Sequence, residues 1–339
     1  MKPVFQELVE SIGEDERFDN YGKGKLIEDF QNEIADLFGK ESALFLPSGT
    51  MAQQIALKIW CDKKSNYNVA FHPTAHLEFA EMLGYQFLFN LKRIQFGIPE
   101  SVGNRVLNVT DFEKLGQSPA AILIELPYRP LGGELPEWDE LVKISKWAKS
   151  EGVYMHLDGA RLWECKVFYD KEYSEICSLF DSVYVSFYKG LGGLTGSALI
   201  GSEDYISEAK IWQRRMGGNL YSLSPYVLSA RLSLHKNLSK IEQFVKKARE
   251  IAEILSSHSK IRIHPNPPHT NMFLAYIEAD ADAFNEKHLE LMEKYGAALF
   301  HQLSNSNIPG FLRTEMHIFE RGLDFDNELL KKMVNELFE

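Results

Sequence analysis

Cysteine is scarce in this chain: Cys61, Cys165 and Cys177 are the only three among 339 residues, and their separations fit no close metal-ligand pattern. Pairing any two leaves an odd thiol, so the sequence predicts buried structural cysteines in a reducing compartment. No uninterrupted apolar run approaches the roughly 20 residues that cross a bilayer. The start, MKPVFQELVESIGEDERF, lacks the apolar stretch and small-residue cleavage site of a secretory signal, so a cytoplasmic location is expected. Positive charge is in deficit as well: 37 Lys and Arg against 48 Asp and Glu give a net charge of -11. Such a balance disfavours a general nucleic-acid surface, which needs a concentrated basic face, although it leaves room for a local anion site. Internal repeats are absent. What remains is ordinary globular composition, 45% hydrophobic and 25% charged, on a chain long enough for more than one domain.

Leu26, Phe30, Ile34 and Leu37 recur at helical spacing, and Gly39 ends that helix. SALFL at 42–46 reads as a buried strand. Pro47-Ser48-Gly49-Thr50 then turns the chain into a helix beginning MAQQIALKIW. The alternation continues with strands at 120–126, 153–157 and 182–187 and a helix at 140–150. Apolar strands alternating with amphipathic helices predict an α/β fold with a mostly parallel sheet covered on both faces. Past residue 236 the order changes to a long helix from Asn237, IRIHP, a Pro-rich loop at 265–268, NMFLAYI, a helix near 280–295 and a final helix near 326–338. The expected division is an N-terminal arm or helix over 1–25, a large domain over 26–235 and a smaller C-terminal α/β domain over 236–339.

Three segments carry candidate chemistry. In His156-Leu157-Asp158-Gly159-Ala160-Arg161, an acid stands at the end of an apolar strand; it reads either as a cap for the next turn or as a ligand for a metal, a ribose or a protonated heterocycle. In Ser186-Phe187-Tyr188-Lys189-Gly190-Leu191-Gly192-Gly193, a lysine stands between a strand and a glycine-rich turn. It reads either as a surface ammonium or as an amine shielded enough for imine chemistry. The glycines do not make a Walker A element. Ser48-Gly49-Thr50 opens a helix, which makes it either a plain cap or a cradle of backbone donors for a phosphate. Together these are an anion cradle, an acid for a protonated ring and an amine for an aldehyde.

From about Asn20 to Phe319 the chain resembles the threonine aldolase and β-eliminating lyase family of fold-type I pyridoxal-phosphate enzymes. GKESALFLPSGTMAQQIAL, HLDGARLW, SFYKGLGGLTGSALIG and RRMGGN occur in the family order. The resemblance implies that Lys189, with Asp158 and His76 the expected catalytic residues, links covalently to the cofactor aldehyde. It implies that Asp158 pairs with the pyridine nitrogen, that Ser48, Gly49 and Thr50 hold the phosphate, and that Arg161 lies near a cofactor oxygen or the substrate carboxylate. His76 is the expected ring-stacking histidine with Glu81 its acidic neighbour; His72 competes with it in HPTAH. Arg313, with His317 following, is the expected carboxylate-binding arginine, suited by its two-pronged donor fork. A homodimer or homotetramer with shared sites is implied, with Tyr21 approaching the partner's site.

Several positions depart from the family. Its ENTHNxxGG element corresponds to Glu125-Leu126-Pro127-Tyr128-Arg129-Pro130-Leu131-Gly132-Gly133, so Leu126 stands for asparagine and Tyr128 for the histidine near the substrate hydroxyl. Tyr188 stands for the serine before the lysine, and Leu220-Tyr221-Ser222 for an MRQ-like stretch. The expected activity is aldol cleavage of a β-hydroxy amino acid such as threonine, with β-elimination as the alternative on the same cofactor. A non-catalytic cofactor-binding protein is the remaining reading.

Overall fold

The apolar stripe at the start of the chain becomes a helix because Leu26, Ile27, Phe30, Ile34 and Phe38 share a face and bury it. Gly39 closes this helix, Lys25–Phe38, in a left-handed conformation (φ 62°) that a side chain would disfavour, and its N–H donates to the last-turn carbonyls of Ala35 and Asp36. This computed structural model describes residues 2–96 and 102–339. The chain divides into two units, Met1–Leu126 with Pro136–Ser239, and Pro127–Leu135 with Lys240–Glu339.

The first unit is built on seven strands: β1 (Ser42–Leu46), β2 (Asn68–Phe71), β3 (Lys92–Ile94), β4 (Ala121–Glu125), β5 (Tyr154–Gly159), β6 (Ser182–Ser186) and β7 (Ser197–Gly201). Their spatial order is β1-β7-β6-β5-β4-β2-β3. Pairing is parallel from β6 through β5, β4 and β2 to β3, whereas β7 runs antiparallel to both β6 and β1. The central strands are buried throughout, which accounts for their unbroken apolar sequences. Helix Gly49–Lys64 packs on the sheet through Ala52, Ile55, Ala56, Ile59 and Trp60. Trp60 stacks between Tyr154 and Tyr205, with ring centroids 4.0 and 4.5 Å away.

The second unit is a four-stranded antiparallel sheet ordered β10-β11-β9-β8, with β8 (Ile261–His264), β9 (Met272–Glu278), β10 (Ser304–Asn305) and β11 (Phe311–His317). Helices Ile241–Ser256 and Asn327–Phe338 bury their apolar faces with Phe273, Ala275, Ile277 and Leu312.

The structure adds detail at three points. The long helix begins at Ile241, after a separate helix, Ser224–Asn237, and a short 3-10 turn over Leu238–Lys240. The strands β2, β3, β7 and β11 are further members of the two sheets. Segment Pro127–Leu135 belongs with the second unit, so Tyr128 does too, where the linear division kept it in the large domain.

Candidate active site

The cross-strand register fixes the site. Glu125 of β4 is the partner of Asp158 in β5, and Asp158 is the partner of Tyr184 in β6. Directly opposed residues in neighbouring strands point to the same face, so two acids and a phenol stand in a row across the parallel sheet. Lys189 follows two residues beyond Phe187, at the carboxyl end of β6. Its N–H donates to Ser186 Oγ at 3.3 Å, and its carbonyl accepts from Leu191 N at 2.9 Å. Ser186 Oγ in turn donates to Ala160 O, and Trp163 Nε1 donates to Ser186 O at 2.7 Å, tying the lysine turn to the loop after Asp158. In an open parallel sheet this edge is where ligands bind.

His76 starts the short helix His76–Phe79 beside that row. Its backbone N–H donates to Glu125 Oε1 at 2.7 Å, and its ring Nδ1 lies 2.9 Å from Glu81 Oε1. Main chain and ring are thus held by two different acids. His72 has another occupation: it is buried, its Nε2 lies 3.1 and 3.0 Å from the carbonyls of Val102 and Arg105, and its Nδ1 accepts from Thr74 N. Holding that loop is structural work, and burial lowers its pKa.

Three carboxyls, Glu81, Glu125 and Asp158, are therefore buried within one small region. Burial, with the Asp158 charge next, pushes the Glu125 carboxyl up to about 8. Burial likewise raises Glu81 against the opposing influence of His76, and raises Asp158 against that of Lys189. A region with surplus buried acid has electrostatic room for a cationic ring, and Asp158 stands in the middle of the row. The residues fit a pyridinium in this respect.

Behind Asp158 a neutral relay orders the protons. Trp60 Nε1 donates to Ser182 Oγ at 2.8 Å, and the same oxygen lies 2.8 Å from His156 Nδ1. His156 Nε2 then donates to Gln53 Oε1 at 2.7 Å. Burial holds His156 down at about 3, so the ring is neutral, as the relay requires. With its oxygen pinned, the Gln53 amide nitrogen is buried and has no hydrogen-bond partner among the described residues.

Ser48 precedes helix Gly49–Lys64 in extended geometry (φ −144°, ψ 136°), and its side chain makes no capping bond. The first-turn N–H groups of Gly49 and Thr50 therefore have no side-chain cap from Ser48 and suit an external anion. Arg161 is largely buried, with Nη1 3.9 Å from Glu164 Oε1. Lys189, Asp158, His76, Arg161 and the Ser48-Gly49-Thr50 turn all lie in the first unit.

Arg313 and Tyr128 lie in the second. Arg313 projects from β11, and its Nη2 donates to Pro130 O at 3.1 Å. Tyr128 is 1% exposed, in a turn closed by paired hydrogen bonds with Glu134 and Gly133. Sequence reasoning gave no role to Glu125, Gln53, His156 or Tyr184. The available signal was the pairing of two apolar strands that each end in an acid, AAILIE and VYMHLD.

Residues 11–280 match the family model for Beta-eliminating lyase. A crystal structure from Listeria monocytogenes EGD-E, provisionally described as an L-allo-threonine aldolase, superposes with a TM-score of 0.95 at 40% identity, covering 99% of this chain and 92% of that one. A second, from Exiguobacterium sp. 255-15 and provisionally described as an aromatic amino acid beta-eliminating lyase/threonine aldolase, gives 0.93 at 35% identity, covering 99% and 93%. Low-specificity L-threonine aldolase 1 of Arabidopsis thaliana is 28% identical over 281 residues, 79% of this chain and 76% of that protein. With the sheet order, the strand-end lysine and acid, and these matches together, the chain belongs to the threonine aldolase and β-eliminating lyase family of fold-type I pyridoxal-phosphate enzymes and is a pyridoxal-phosphate-dependent lyase.

Proposed function

We propose that the chain cleaves a small β-hydroxy amino acid such as threonine to glycine and an aldehyde. The observation that supports this most is the single row of Glu125, Asp158 and Tyr184 beside His76 and Lys189. When bound, pyridoxal phosphate supplies an electron-accepting ring that stabilises charge at the substrate α-carbon. Lys189 would hold the cofactor aldehyde and, when displaced by substrate, provide an amine to carry a proton. Asp158 would keep the pyridine nitrogen protonated, and His76, fixed at main chain and ring, would pack on the ring face. Ser48, Gly49 and Thr50 would hold the phosphate. Arg161 and Arg313 are the residues proposed for the substrate carboxylate or cofactor oxygen, and Tyr128 for the side-chain end.

β-Elimination remains the second reading for a specific reason. Both positions that differ from the family at the substrate end, Leu126 and Tyr128, are buried, and neither offers a ready base. A phenol titrates near 10, so it deprotonates a β-hydroxyl poorly at neutral pH. Holoenzyme should be mixed with both threonine diastereomers, phenylserine and serine, and the products identified by mass. Glycine plus aldehyde supports the proposal, whereas ammonia plus a 2-oxo acid without glycine supports elimination. Borohydride reduction and peptide mapping should place the pyridoxyl group on Lys189; an adduct on another lysine would defeat the assignment.

We also infer a homo-oligomer, a dimer or a dimer-built tetramer. Phe79, Met82, Phe87 and Leu88 are exposed within ten residues of each other in sequence, a concentration of apolar surface suited to burial by a second copy. Light scattering coupled to size exclusion tests this. No described helix is long and apolar enough to cross a membrane, and the three cysteines are buried thiols. A cytoplasmic setting is proposed on the latter ground.

A further inference from the structure

Ser186 and Trp163 join the Lys189 turn to the loop after Asp158 on one side, and a buried acid joins them on the other. Glu164 ends the 3-10 turn Leu162–Glu164, three residues after Arg161, and its N–H donates to Arg161 O at 3.0 Å. Its side chain is 1% exposed, and Oε1 lies 3.9 Å from Arg161 Nη1. The same oxygen lies against Gly190, the residue after Lys189: a Cβ there would meet it at 2.9 Å, and the Gly190 backbone is left-handed (φ 74°). Glycine at 190 thus lets the lysine turn approach the carboxylate this closely. Asp158 holds the near end of the loop, since its Oδ1 accepts from Ala160 N at 3.1 Å. One short stretch therefore begins with the acid proposed for the ring nitrogen, carries Arg161 in its middle and ends with an acid under the Lys189 turn.

A carboxylate buried this deeply needs a cation beside it, and Arg161, with a side chain 13% exposed, supplies one. At 3.9 Å the two attract by charge without spending the Nη1 donors on a hydrogen bond, so those donors stay open to a ligand. We propose that Glu164 is a positioning residue of the active site: its buried charge fixes Arg161 for the substrate carboxylate, and its packing against Gly190 keeps that arginine in register with Lys189. The proposal rests on the reading of Arg161 as a carboxylate-binding residue. Glu164 itself touches neither substrate nor cofactor in this scheme and acts through Arg161.

The test compares glycine with methylamine, which has the amine but no carboxylate. Holoenzyme is titrated with each, and binding is followed by visible absorbance. Glu164→Gln keeps the size of the side chain and removes its charge. It should weaken glycine by about tenfold, part of the roughly ten- to hundredfold that a charged hydrogen-bonded contact carries, and leave methylamine within about twofold. Glu164→Asp keeps the charge but withdraws it by one methylene, so it should lower the glycine-to-methylamine affinity ratio by less; should Glu164→Gln fail to fold, this smaller drop still has to appear. Added to Arg161→Gln, Glu164→Gln should cause no further loss of glycine affinity, because it acts through that arginine. Equal loss for both ligands would mark a merely structural role and overturn the proposal. So would an unchanged ratio, tighter glycine binding, as expected of a charge that only competes with the ligand, or losses that multiply in the double variant. If Arg161→Gln itself leaves the ratio unchanged, the reading of Arg161 fails and the proposal with it, whereas a failure confined to the Glu164 variants leaves Arg161 in place.

Discussion

The two units handle charge in opposite ways. In the first, Glu81, Glu125 and Asp158 are buried together, and burial raises all three. In the second, Arg313, Glu315 and His317 stand on one face of β11, alternate residues of a strand, and are half-buried. There Arg129 Nε pairs with Glu315 at 2.9 Å, His317 Nε2 lies 3.4 Å from the same carboxylate, and Arg313 donates to a backbone carbonyl. Charges near water find protein partners at little cost, whereas buried ones depend on what the site receives. The first unit is thus poised for a cationic cofactor and the second largely settled within itself, so substitutions should have very different weight in the two.

Asp158→Asn should have the largest effect. It keeps shape and removes the negative partner that would hold the ring nitrogen protonated, so turnover by cofactor-saturated enzyme should fall about a hundredfold or more, the scale of losing one preorganised electrostatic contact. Steady-state kinetics with excess pyridoxal phosphate checks it, and near-wild-type turnover would place the ring elsewhere.

Asp19 sharpens the comparison from within the first unit, because it is a buried acid with ample donors. Its Oδ1 accepts from Ser222 Oγ, Leu223 N, Ser224 N and Ser224 Oγ, and its Oδ2 accepts from Gly22 N. Burial alone would raise its pKa, yet the bonds from Ser224, Ser222, Gly22 and Leu223 outweigh it and hold the carboxyl below its usual value. Removing such an acceptor leaves several donors unpaired, so Asp19→Ala should cost about 2 to 4 kcal/mol in chemical denaturation. A depressed folded-state pKa stabilises at pH above the unfolded value and loses that contribution as pH falls through the folded one. The variant's deficit should accordingly shrink below about pH 4, near the unfolded aspartate value.

Glu125 has the opposite sign. Its carboxyl, raised to about 8 by burial and then by Asp158, holds its proton better folded than unfolded. That contribution is complete below the unfolded value, and it declines as pH rises through the folded one. The melting temperature of the cofactor-free protein should therefore fall between about pH 5 and 8. Glu125→Gln, a permanent mimic of the protonated form, should keep the acceptor for His76 N and flatten that slope by a few degrees. An unchanged slope would show that another group carries the proton.

These contrasts also mark what the sequence disclosed. Lys189, Asp158 and Ser48-Gly49-Thr50 were legible because each follows an apolar strand and begins a turn, a local pattern visible in a dozen residues. The helix of Leu26, Phe30 and Ile34 and the two central acid-ended strands were legible by periodicity. Glu125 was readable as a strand end yet not as a neighbour of Asp158, since register across parallel strands depends on crossovers between them. The roles of Gln53, His156 and Tyr184 were hidden for the same reason: each acts through a partner between 26 and 103 residues away in the chain. Segment Pro127–Leu135 groups with the second unit although the linear division kept it in the large domain, because it leaves and rejoins the first unit within nine residues, a stretch too short to read as a change of domain.

The smallest effect is expected at Arg129, which stands where the family has asparagine. Its Nε reaches both oxygens of Glu315, at 2.9 and 3.2 Å, but the guanidinium side chain is 57% exposed. Exposed pairs of this kind contribute roughly 0 to 1 kcal/mol, since water and salt screen them and two long side chains must be ordered. Arg129→Ala should therefore shift the denaturation midpoint by less than the scatter expected for a buried change, and about 0.5 M salt should erase the difference. Glu315 would still have His317 nearby, so its charge would not be left alone. If Arg129→Ala instead destabilised the protein as much as Asp19→Ala, the second unit's charges would weigh on its stability as heavily as the buried acids weigh on the first, and the contrast drawn between the two units would fail.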